Sequence, residues 1–225
     1  MKPLCVVFDL DDTLYLERDY VWSGFRKISP WAKATLGISD FDLRAWTLFT
    51  QGVRGDIFDQ VLVAAGVCPH PSTVRAMVDM YREHLPDIRL TLDAASCLRE
   101  MRGQAHMALI TDGPEQSQKN KVKALGIEET FDKIVFTASL GSEFSKPHIK
   151  SFLDVQKHFG KGVEEYMYVG DNPGKDFVGP RRLGWKTMRI RRPEGLYHSV
   201  EADVTKHADI ETSDLRVLIN TFSSQ

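Results

Sequence analysis

A chain of 225 residues with 42% hydrophobic residues is long enough to bury one substantial core, or a core and a small satellite domain. Its 29 lysines and arginines nearly balance 31 aspartates and glutamates, and the net charge of -2 supplies no overall field for holding nucleic acid or an anionic membrane. We therefore expect a small-molecule partner, with no nucleic acid and no membrane bound.

The cysteines and the hydrophobic profile point to a compartment. Cys5, Cys68 and Cys97 are odd in number and far apart, which suits reduced thiols better than a disulfide framework. No apolar run approaches the roughly 18 residues of a membrane span, and no signal peptide precedes the first strand pattern. These features predict a soluble cytoplasmic protein, and they leave open whether it is a monomer or a homodimer.

The first part of the chain changes from a strand pattern to a helical one. Residues Leu4 to Phe8 are all apolar, as in a strand that is buried on both faces of a parallel sheet. From about Arg18 to Pro86 the hydrophobic pattern is helical and contains no convincing strand. The predicted helices of this block are 21–36, 43–49, 56–65 and 72–85.

After Asp93, helical and strand patterns alternate, which predicts a parallel sheet flanked by helices. The predicted strands are Met107–Ile110, Lys133–Thr137, Tyr166–Val169, Thr187–Ile190 and Ala208–Ile210. The predicted helices end at Met101, run over Glu115–Leu125, His148–Phe159 and Asp176–Leu183, and begin again at Ser213. The sequence therefore predicts an α/β fold for this part of the chain.

Three carboxylates follow the first strand directly. Asp9, Asp11 and Asp12 stand just past the carboxyl end of a buried strand, where open α/β sheets keep their ligand crevices. Like charges so close repel unless a cation or a proton relieves them. A solvated turn is the plain alternative. A calcium loop is excluded because its sixth and twelfth positions are Leu14 and Tyr20 instead of Gly and Glu.

Three later segments add what phosphoryl transfer needs, in chain order. Thr111 and Asp112 end a strand and lead into a helix start, where a hydroxyl and backbone N–H groups can hold an anion. Lys146 offers a fixed cation before another helix. Asp171 and Asp176 add carboxylates after a further strand, so that the oxygen ligands together suit Mg²⁺.

With these four segments in this order, the chain resembles the haloacid dehalogenase-like hydrolase superfamily. The resemblance spans nearly the whole chain, and the first and last motifs are specific as a pair. It implies a Rossmann-like core, a doubly wound parallel sheet made of residues 1–15 and 91–225. It also implies that residues 16–90 form a small all-α helical cap domain inserted after the first strand.

The resemblance also implies a role for each motif residue. Asp9 would be the nucleophile that forms an aspartyl-phosphate, and Asp11 would protonate the leaving alcohol and then activate water. Mg²⁺ would be held by the Asp9 and Asp171 carboxylates and the backbone carbonyl of Asp11, with Asp176 as an outer residue of the metal site. The phosphate would be bound by Thr111, Asp112 and Lys146.

Asp11 separates branches of the superfamily, because the dehalogenase and phosphonate-cleaving branches lack this acid. Its presence predicts a magnesium-dependent phosphatase for a small phosphomonoester, such as a sugar phosphate, a nucleotide or a similar metabolite. A phosphotransferase or mutase is the first alternative, although the mutase branch usually has Gly where this chain has Thr13. A receiver-like signalling module is the second, but receivers place the lysine last, whereas Lys146 precedes Asp171.

The helical block offers candidates for substrate contact. The loop that contains Arg54 resembles the substrate-contacting loop of related helical caps, so Arg54 is a tentative substrate residue. A solvated surface charge is the alternative for this arginine. Trp22 and Trp46 could line a substrate pocket, although aromatic residues at helical spacing more commonly belong to a core.

Overall fold

The computed structural model describes residues 4–201, 203 and 205–219. The chain divides into two compact units, a core unit of residues 1–18 and 89–225 and a helical unit of residues 19–88. The predicted bounds, 1–15 with 91–225 and 16–90, lie a few residues from these divisions. The assignment of the units as a catalytic core and a cap stays a prediction.

Within the described part of the core unit, six parallel strands form one sheet. They are β1 (Leu4–Phe8), β2 (His106–Thr111), β3 (Lys133–Phe136), β4 (Glu165–Gly170), β5 (Lys186–Ile190) and β6 (Ile210–Thr212), and their order in the sheet is β3-β2-β1-β4-β5-β6. The chain moves outward from β1 first in one direction and then in the other, so that right-handed crossovers place helices on both faces of the sheet. The predicted doubly wound α/β fold is confirmed.

The described residues form eight α-helices. In chain order they are α1 (Glu17–Leu36), α2 (Phe41–Thr50), α3 (Ile57–Ala64), α4 (Pro71–Glu83), α5 (Leu92–Met101), α6 (Glu115–Leu125), α7 (Lys150–Phe159) and α8 (Val178–Arg182). Short 3-10 turns occupy Glu128–Thr130, Thr137–Leu140, Ser142–Phe144 and Gly160–Gly162. Among the described residues, none of the helices is long and apolar enough to cross a membrane.

The first strand of the core unit is apolar until it ends. In β1 the side chains of Cys5, Val6, Val7 and Phe8 are all fully buried, as expected for a strand that is covered on both faces. Cys5 and Val7 belong to a cluster that also contains Phe152 of α7. The first polar side chain after β1, that of Asp9, therefore stands directly where the strand ends.

Aromatic side chains fill the interior of the helical unit. The ring of Phe25 on α1 lies 6.5 Å from Phe49, 6.2 Å from Phe58 and 6.1 Å from Tyr81, measured between centroids. These residues come from α2, α3 and α4, so one ring touches all three other helices of the unit. The helical unit therefore has an apolar core of its own.

Three predicted elements, β6, α7 and α8, begin two residues later than expected, and a fourth is partly described. Strand β6 starts at Ile210 rather than Ala208, because the Asp209 carboxylate accepts hydrogen bonds from the N–H and hydroxyl of Thr187 at 2.8 Å in place of a strand ladder. Helix α8 starts at Val178 rather than Asp176. The Asp176 carboxylate accepts a hydrogen bond from the N–H of Asn172. Of the helix predicted from Ser213, residues 217–219 are helical and those after 219 lie outside the described residues.

Candidate active site

Three predicted site residues lie at neighbouring strand ends. Asp9 follows β1, Thr111 is the last residue of β2, and Asp171 follows β4. Strand β1 lies between β2 and β4, at the point where the sheet order reverses, and this is where doubly wound sheets bind ligands. The parallel pairing brings their carboxyl ends to one edge, so the fold itself gathers these residues.

The Asp9 carboxylate is buried, and its two oxygens differ. Oδ1 accepts a hydrogen bond from Nζ of Lys146 at 2.7 Å, whereas Oδ2 has no hydrogen-bond partner among the described residues. Burial alone would raise the pKa of Asp9, but the charges of Lys146 and Lys175 lower it below its ordinary value. Asp9 is therefore held as an anion with one oxygen unengaged, as a nucleophile requires.

Lys146 forms hydrogen bonds with three side chains of the site. Its fully buried Nζ donates to Asp9 Oδ1 at 2.7 Å, to the Tyr168 hydroxyl at 2.7 Å and to Asp176 Oδ1 at 2.8 Å. Burial favours the neutral amine, but the charges of Asp176 and Asp9 raise the pKa of Lys146 above its ordinary value. The ammonium is thus a permanent positive charge against the nucleophile.

Asp9, Asp171 and Asp176 form a buried group that could hold a metal ion. One oxygen from each of these carboxylates lies within 4.8 Å of the others. Burial, together with the negative neighbours, raises the pKa of Asp171 well above its ordinary value, and burial also raises the pKa of Asp176. A cation would relieve this repulsion, and an oxygen-only set suits a hard divalent ion.

The contacts of Asp171 and Asp176 differ in a way that bears on metal binding. Both oxygens of Asp176 are engaged, Oδ1 by Lys146 and Oδ2 by the N–H of Asn172 at 2.9 Å. No hydrogen bond to the carboxylate of Asp171 is formed within the described part of the chain, and Asp9 belongs to the same group. The donor set present therefore fits a metal ion held mainly by Asp9 and Asp171.

The Asp11 carboxylate lies outside this group and contacts a different set of residues. Its Oδ1 accepts from Nζ of Lys121 at 2.7 Å and from the hydroxyl of Tyr15, and its Oδ2 lies 3.5 Å from Nε2 of Gln118. Burial, with the charge of Asp11 next, raises the pKa of Tyr15 well above its ordinary value, so this hydroxyl stays protonated and donates. The predicted metal contact of Asp11, through its backbone carbonyl, stays a prediction.

Thr111 and Asp112 are both engaged within the protein. The buried hydroxyl of Thr111 donates to Oε1 of Gln118 at 2.9 Å, so it must turn away to donate to a phosphate. Asp112 Oδ1 accepts from the Thr137 hydroxyl at 2.7 Å and from the N–H of Lys146 at 3.1 Å. The Asp112 carboxylate thus fixes the loop of Lys146, and its predicted phosphate contact is left to its backbone N–H.

Asp12 shapes the loop that carries the other acids. Its backbone φ is 51°, in the left-handed region that favours glycine. Its buried carboxylate offsets that strain by accepting from the N–H of Glu17 at 2.8 Å and of Leu196 at 2.7 Å. Asp12 therefore stabilises the turn, whereas the carboxylates of Asp9 and Asp11, which precede it, are not used for this purpose.

Arg54 lies in the helical unit, between α2 and α3. Its Nη1 donates to the carbonyls of Phe49 and Val53, both at 2.7 Å, and its guanidinium lies 4.1 Å from the centroid of the Phe49 ring. Trp22 and Trp46 belong to the same unit and pack edge to face at 5.3 Å. These contacts stabilise the helical unit, and the tentative role of Arg54 toward substrate stays a prediction.

Four side chains of the site carry no role in the sequence prediction: Gln118, Lys121, Tyr168 and Lys175. Gln118 and Lys121 are both buried and lie three residues apart on α6. Lys175 Nζ lies 3.9 Å from Asp9 Oδ2 and 3.6 Å from Asp112 Oδ2. Gln118 and Lys121 lie among the buried residues of α6 with Val122, but most of these residues are polar, so the hydrophobic pattern gave no signal for them.

Comparison with known proteins identifies the family. The family model for haloacid dehalogenase-like hydrolases matches residues 6–190. The chain is 32% identical over 212 residues to the glyceraldehyde 3-phosphate phosphatase of Methanopyrus kandleri, covering 87% of this chain and 86% of the relative. It is 27% identical to the phosphoserine phosphatase of Thermus thermophilus, covering 83% of this chain and 76% of the relative.

A solved structure shares the fold. The L-2-haloacid dehalogenase from Xanthobacter autotrophicus superposes with a TM-score of 0.62 at 20% identity, and the alignment covers 98% of each chain. The family and the phosphatases among its relatives confirm the predicted enzyme class, a hydrolase of phosphoric monoester bonds. The chain belongs to the haloacid dehalogenase-like hydrolase family.

Proposed function

We propose that the protein is a magnesium-dependent phosphatase that hydrolyses a small phosphomonoester through an aspartyl-phosphate on Asp9. The observation that carries the proposal is the state of the Asp9 carboxylate. It is buried, it is held as an anion by Lys146 at 2.7 Å, and its Oδ2 is without a hydrogen-bond partner among the described residues. Such a carboxylate has the charge and the unengaged oxygen of a nucleophile.

In the first step an oxygen of Asp9 attacks phosphorus and the bond from phosphorus to the substrate alcohol breaks. The alcohol oxygen takes a proton from Asp11, so it leaves as a neutral alcohol. Lys146 stays beside Asp9 throughout and balances the charge of the phosphoryl group as it arrives. Thr111 and the N–H of Asp112 would orient the phosphoryl oxygens, because both lie at the end of β2.

In the second step a water molecule attacks the aspartyl-phosphate. Asp11, now a carboxylate, takes one proton from that water, and the bond between Asp9 and phosphorus breaks to release inorganic phosphate. Asp9 returns as a carboxylate and Asp11 as a carboxylic acid, so both groups are ready for another substrate. The two aspartates thus have different tasks although they are two residues apart.

The metal would be held by the carboxylates of Asp9 and Asp171 and by the backbone carbonyl of Asp11. When bound, magnesium supplies positive charge that offsets the repulsion between the nucleophile and the anionic substrate. Asp176 would act as an outer residue, since both of its oxygens are engaged and one of them fixes Lys146. The all-oxygen donor set supports magnesium over softer metals.

The relatives point to a substrate class. The relatives named above act on glyceraldehyde 3-phosphate and on phosphoserine, both small phosphomonoesters. We infer a substrate of this class, a sugar phosphate, a nucleotide or a similar metabolite, and the helical unit would act as a cap that selects it. Arg54 is the proposed contact of this cap with the substrate.

The test is phosphate release from a panel of small phosphomonoesters by the full chain with Mg²⁺. We expect Asp9→Asn to lower kcat/KM at least about 10³-fold and a chelator to abolish turnover reversibly. Free phosphate must equal the alcohol formed, because a mutase or phosphotransferase would pass the group to another alcohol. Turnover that survives Asp9→Asn or chelation contradicts the proposal.

A further inference from the structure

Two buried side chains of α6 reach Asp11 from the same helix face. Nζ of Lys121 lies 2.7 Å from Oδ1 of Asp11, and Nε2 of Gln118 lies 3.5 Å from Oδ2. Residues three apart on a helix are neighbours, so the two side chains can act on one carboxylate. We propose that Lys121 is a positioning residue for Asp11, which fixes the carboxylate so that Oδ2 faces the leaving group and carries the proton. The inference rests on the proposed function.

The ion pair of Lys121 with Asp11 is largely buried. Only 4% of its side chain and 16% of that of Asp11 are exposed. A buried ammonium is costly unless a paired charge and hydrogen bonds compensate it. Glu17 is another acid whose charge interacts with that of Lys121. A lysine that only anchored α6 could have paired with solvent-exposed acids. Lys121 instead bonds directly to Asp11, the proposed general acid and base.

The two oxygens of Asp11 are engaged unequally. Oδ1 accepts from both Lys121 and the hydroxyl of Tyr15, whereas Oδ2 has only the long contact with Gln118 among the contacts described here. A carboxylic acid protonated at Oδ2 can still accept both bonds at Oδ1. Lys121 can therefore hold Asp11 unchanged while Oδ2 gives a proton to the leaving oxygen in the first step and takes one from water in the second.

Gln118 joins this arrangement to the phosphate-binding end of β2. Its Oε1 accepts from the Thr111 hydroxyl at 2.9 Å while its amide nitrogen faces Asp11. Gly113 has a φ of 123°, which favours glycine, and a Cβ there would lie 2.6 Å from the same amide nitrogen. Helix α6 thus fixes Thr111 and Asp11 relative to each other.

The experiment compares two leaving groups in Lys121→Met. An aryl phosphate such as 4-nitrophenyl phosphate leaves as a stable anion and needs little protonation, whereas an alkyl phosphate needs the proton of Asp11. We expect kcat/KM for the alkyl phosphate to fall about 10-fold to 100-fold and that for the aryl phosphate less than about 3-fold. Asp11→Asn should show the same pattern with a larger loss, and Lys121→Arg should restore part of the alkyl activity.

Controls separate positioning from folding. Lys123→Met makes the same change at an exposed position of the same helix and should leave both substrates unaffected. Tyr15→Phe removes only the other hydrogen bond to Oδ1, so it should produce the same leaving-group pattern even if Lys121→Met folds poorly. Equal losses on both substrates in Lys121→Met and Tyr15→Phe, or no loss in either, overturn the inference.

The proposed function fails in a different way. If the wild-type chain releases no phosphate from either substrate, or if Asp9→Asn keeps its activity, the phosphatase proposal itself is wrong. If those two results are as expected and only the leaving-group pattern is absent, the role of Lys121 alone is refuted.

Discussion

Nζ of Lys146 and Oδ1 of Asp9 lie 2.7 Å apart, in a place where neither side chain is exposed to water. The same ammonium lies 2.8 Å from Asp176. One buried positive charge therefore balances two buried carboxylates, with Lys175 at 3.9 Å from Asp9 as a second, partly exposed cation. The geometry makes Lys146 necessary for folding as well as for the proposed chemistry.

Replacing Lys146 by Met should destabilise the protein and inactivate it. Asp9 and Asp176 would lose their buried counter-charge, and breaking such a pair by removing one partner costs about 3–5 kcal/mol. We expect a loss of this size in the free energy of unfolding, measured in urea with a chelator present, and a fall of at least about 10²-fold in kcat/KM.

Lys186→Met is the matched control for this change. Lys186 forms an exposed ion pair with Glu165 at 3.0 Å, and exposed pairs contribute at most about 1 kcal/mol. A loss in Lys146→Met no larger than that in Lys186→Met would contradict the assigned role of the buried ammonium.

Magnesium should stabilise the fold through the carboxylate group of Asp9, Asp171 and Asp176. Asp171 has a pKa raised well above its ordinary value, so its ionised form is costly in the absence of a cation. We expect the thermal midpoint of the wild-type chain to rise with Mg²⁺, as it does for any ligand that binds only the folded state.

Asp171→Asn should change both the thermal midpoint in chelator and its rise with Mg²⁺. It removes one costly charge, so we expect a higher thermal midpoint than wild type in chelator and little further rise with Mg²⁺. Calorimetry or fluorescence at neutral pH measures both quantities. Equal Mg²⁺ responses in the two proteins would place the stabilising ion elsewhere.

Glu17 should make stability depend on pH. Burial, followed by the charge of Asp11, raises the pKa of Glu17 to about 7 in the folded chain. Since this folded pKa exceeds the unfolded one, the unfolded state loses its proton first, and stability falls as pH rises from about 4.5 to about 7. Below that window both states hold the proton, and above it the penalty is constant.

Glu17→Gln tests this dependence because it mimics the protonated acid and keeps the backbone N–H that bonds Asp12. Its gain in unfolding free energy over wild type should be near zero at pH 4.5 and about 3 kcal/mol at pH 8. Urea unfolding in chelator at four pH values gives the curve. A gain that does not change with pH would show that Glu17 titrates normally in the folded state.

The sequence was sufficient for the strand-end residues but not for their partners. Parallel strands bring their carboxyl ends to one edge, so the positions of Asp9, Thr111 and Asp171 follow once the strands are recognised. Tyr168 could not be recognised in this way, because an aromatic residue inside an apolar strand reads as core until its hydroxyl is seen to contact Lys146 and Asp176.

The contacts of Lys121 and Gln118, on a helix, could not be predicted from the sequence either. A lysine on α6 is ordinarily solvated, and only the tertiary position of the helix beside the loop after β1 directs Nζ at Asp11. The start of β6 was missed because a side chain, that of Asp209, takes the hydrogen bonds that a strand pattern assigns to the backbone. Hydrophobic periodicity carries no information on such side-chain contacts.

Gly24 should be intolerant of the smallest substitution, although it lies in the middle of α1. A Cβ there would stand 2.4 Å from two ring atoms of Tyr81 on α4. That ring cannot move freely, because it packs against Tyr20 at 5.2 Å and Phe58 at 6.0 Å. Alanine favours an isolated helix over glycine by about 1 kcal/mol, so propensity and packing predict opposite signs.

We expect packing to dominate, with Gly24→Ala lowering the free energy of unfolding by about 1–3 kcal/mol. Gly162→Ala is the control, since nothing lies within 4 Å of its added Cβ and its φ is not positive, and it should change stability by less than about 0.5 kcal/mol. Tryptophan fluorescence during urea unfolding follows the helical unit through Trp22 and Trp46. A more stable Gly24→Ala would mean that α1 and α4 separate easily enough to admit a methyl group, and that helix propensity decides the sign.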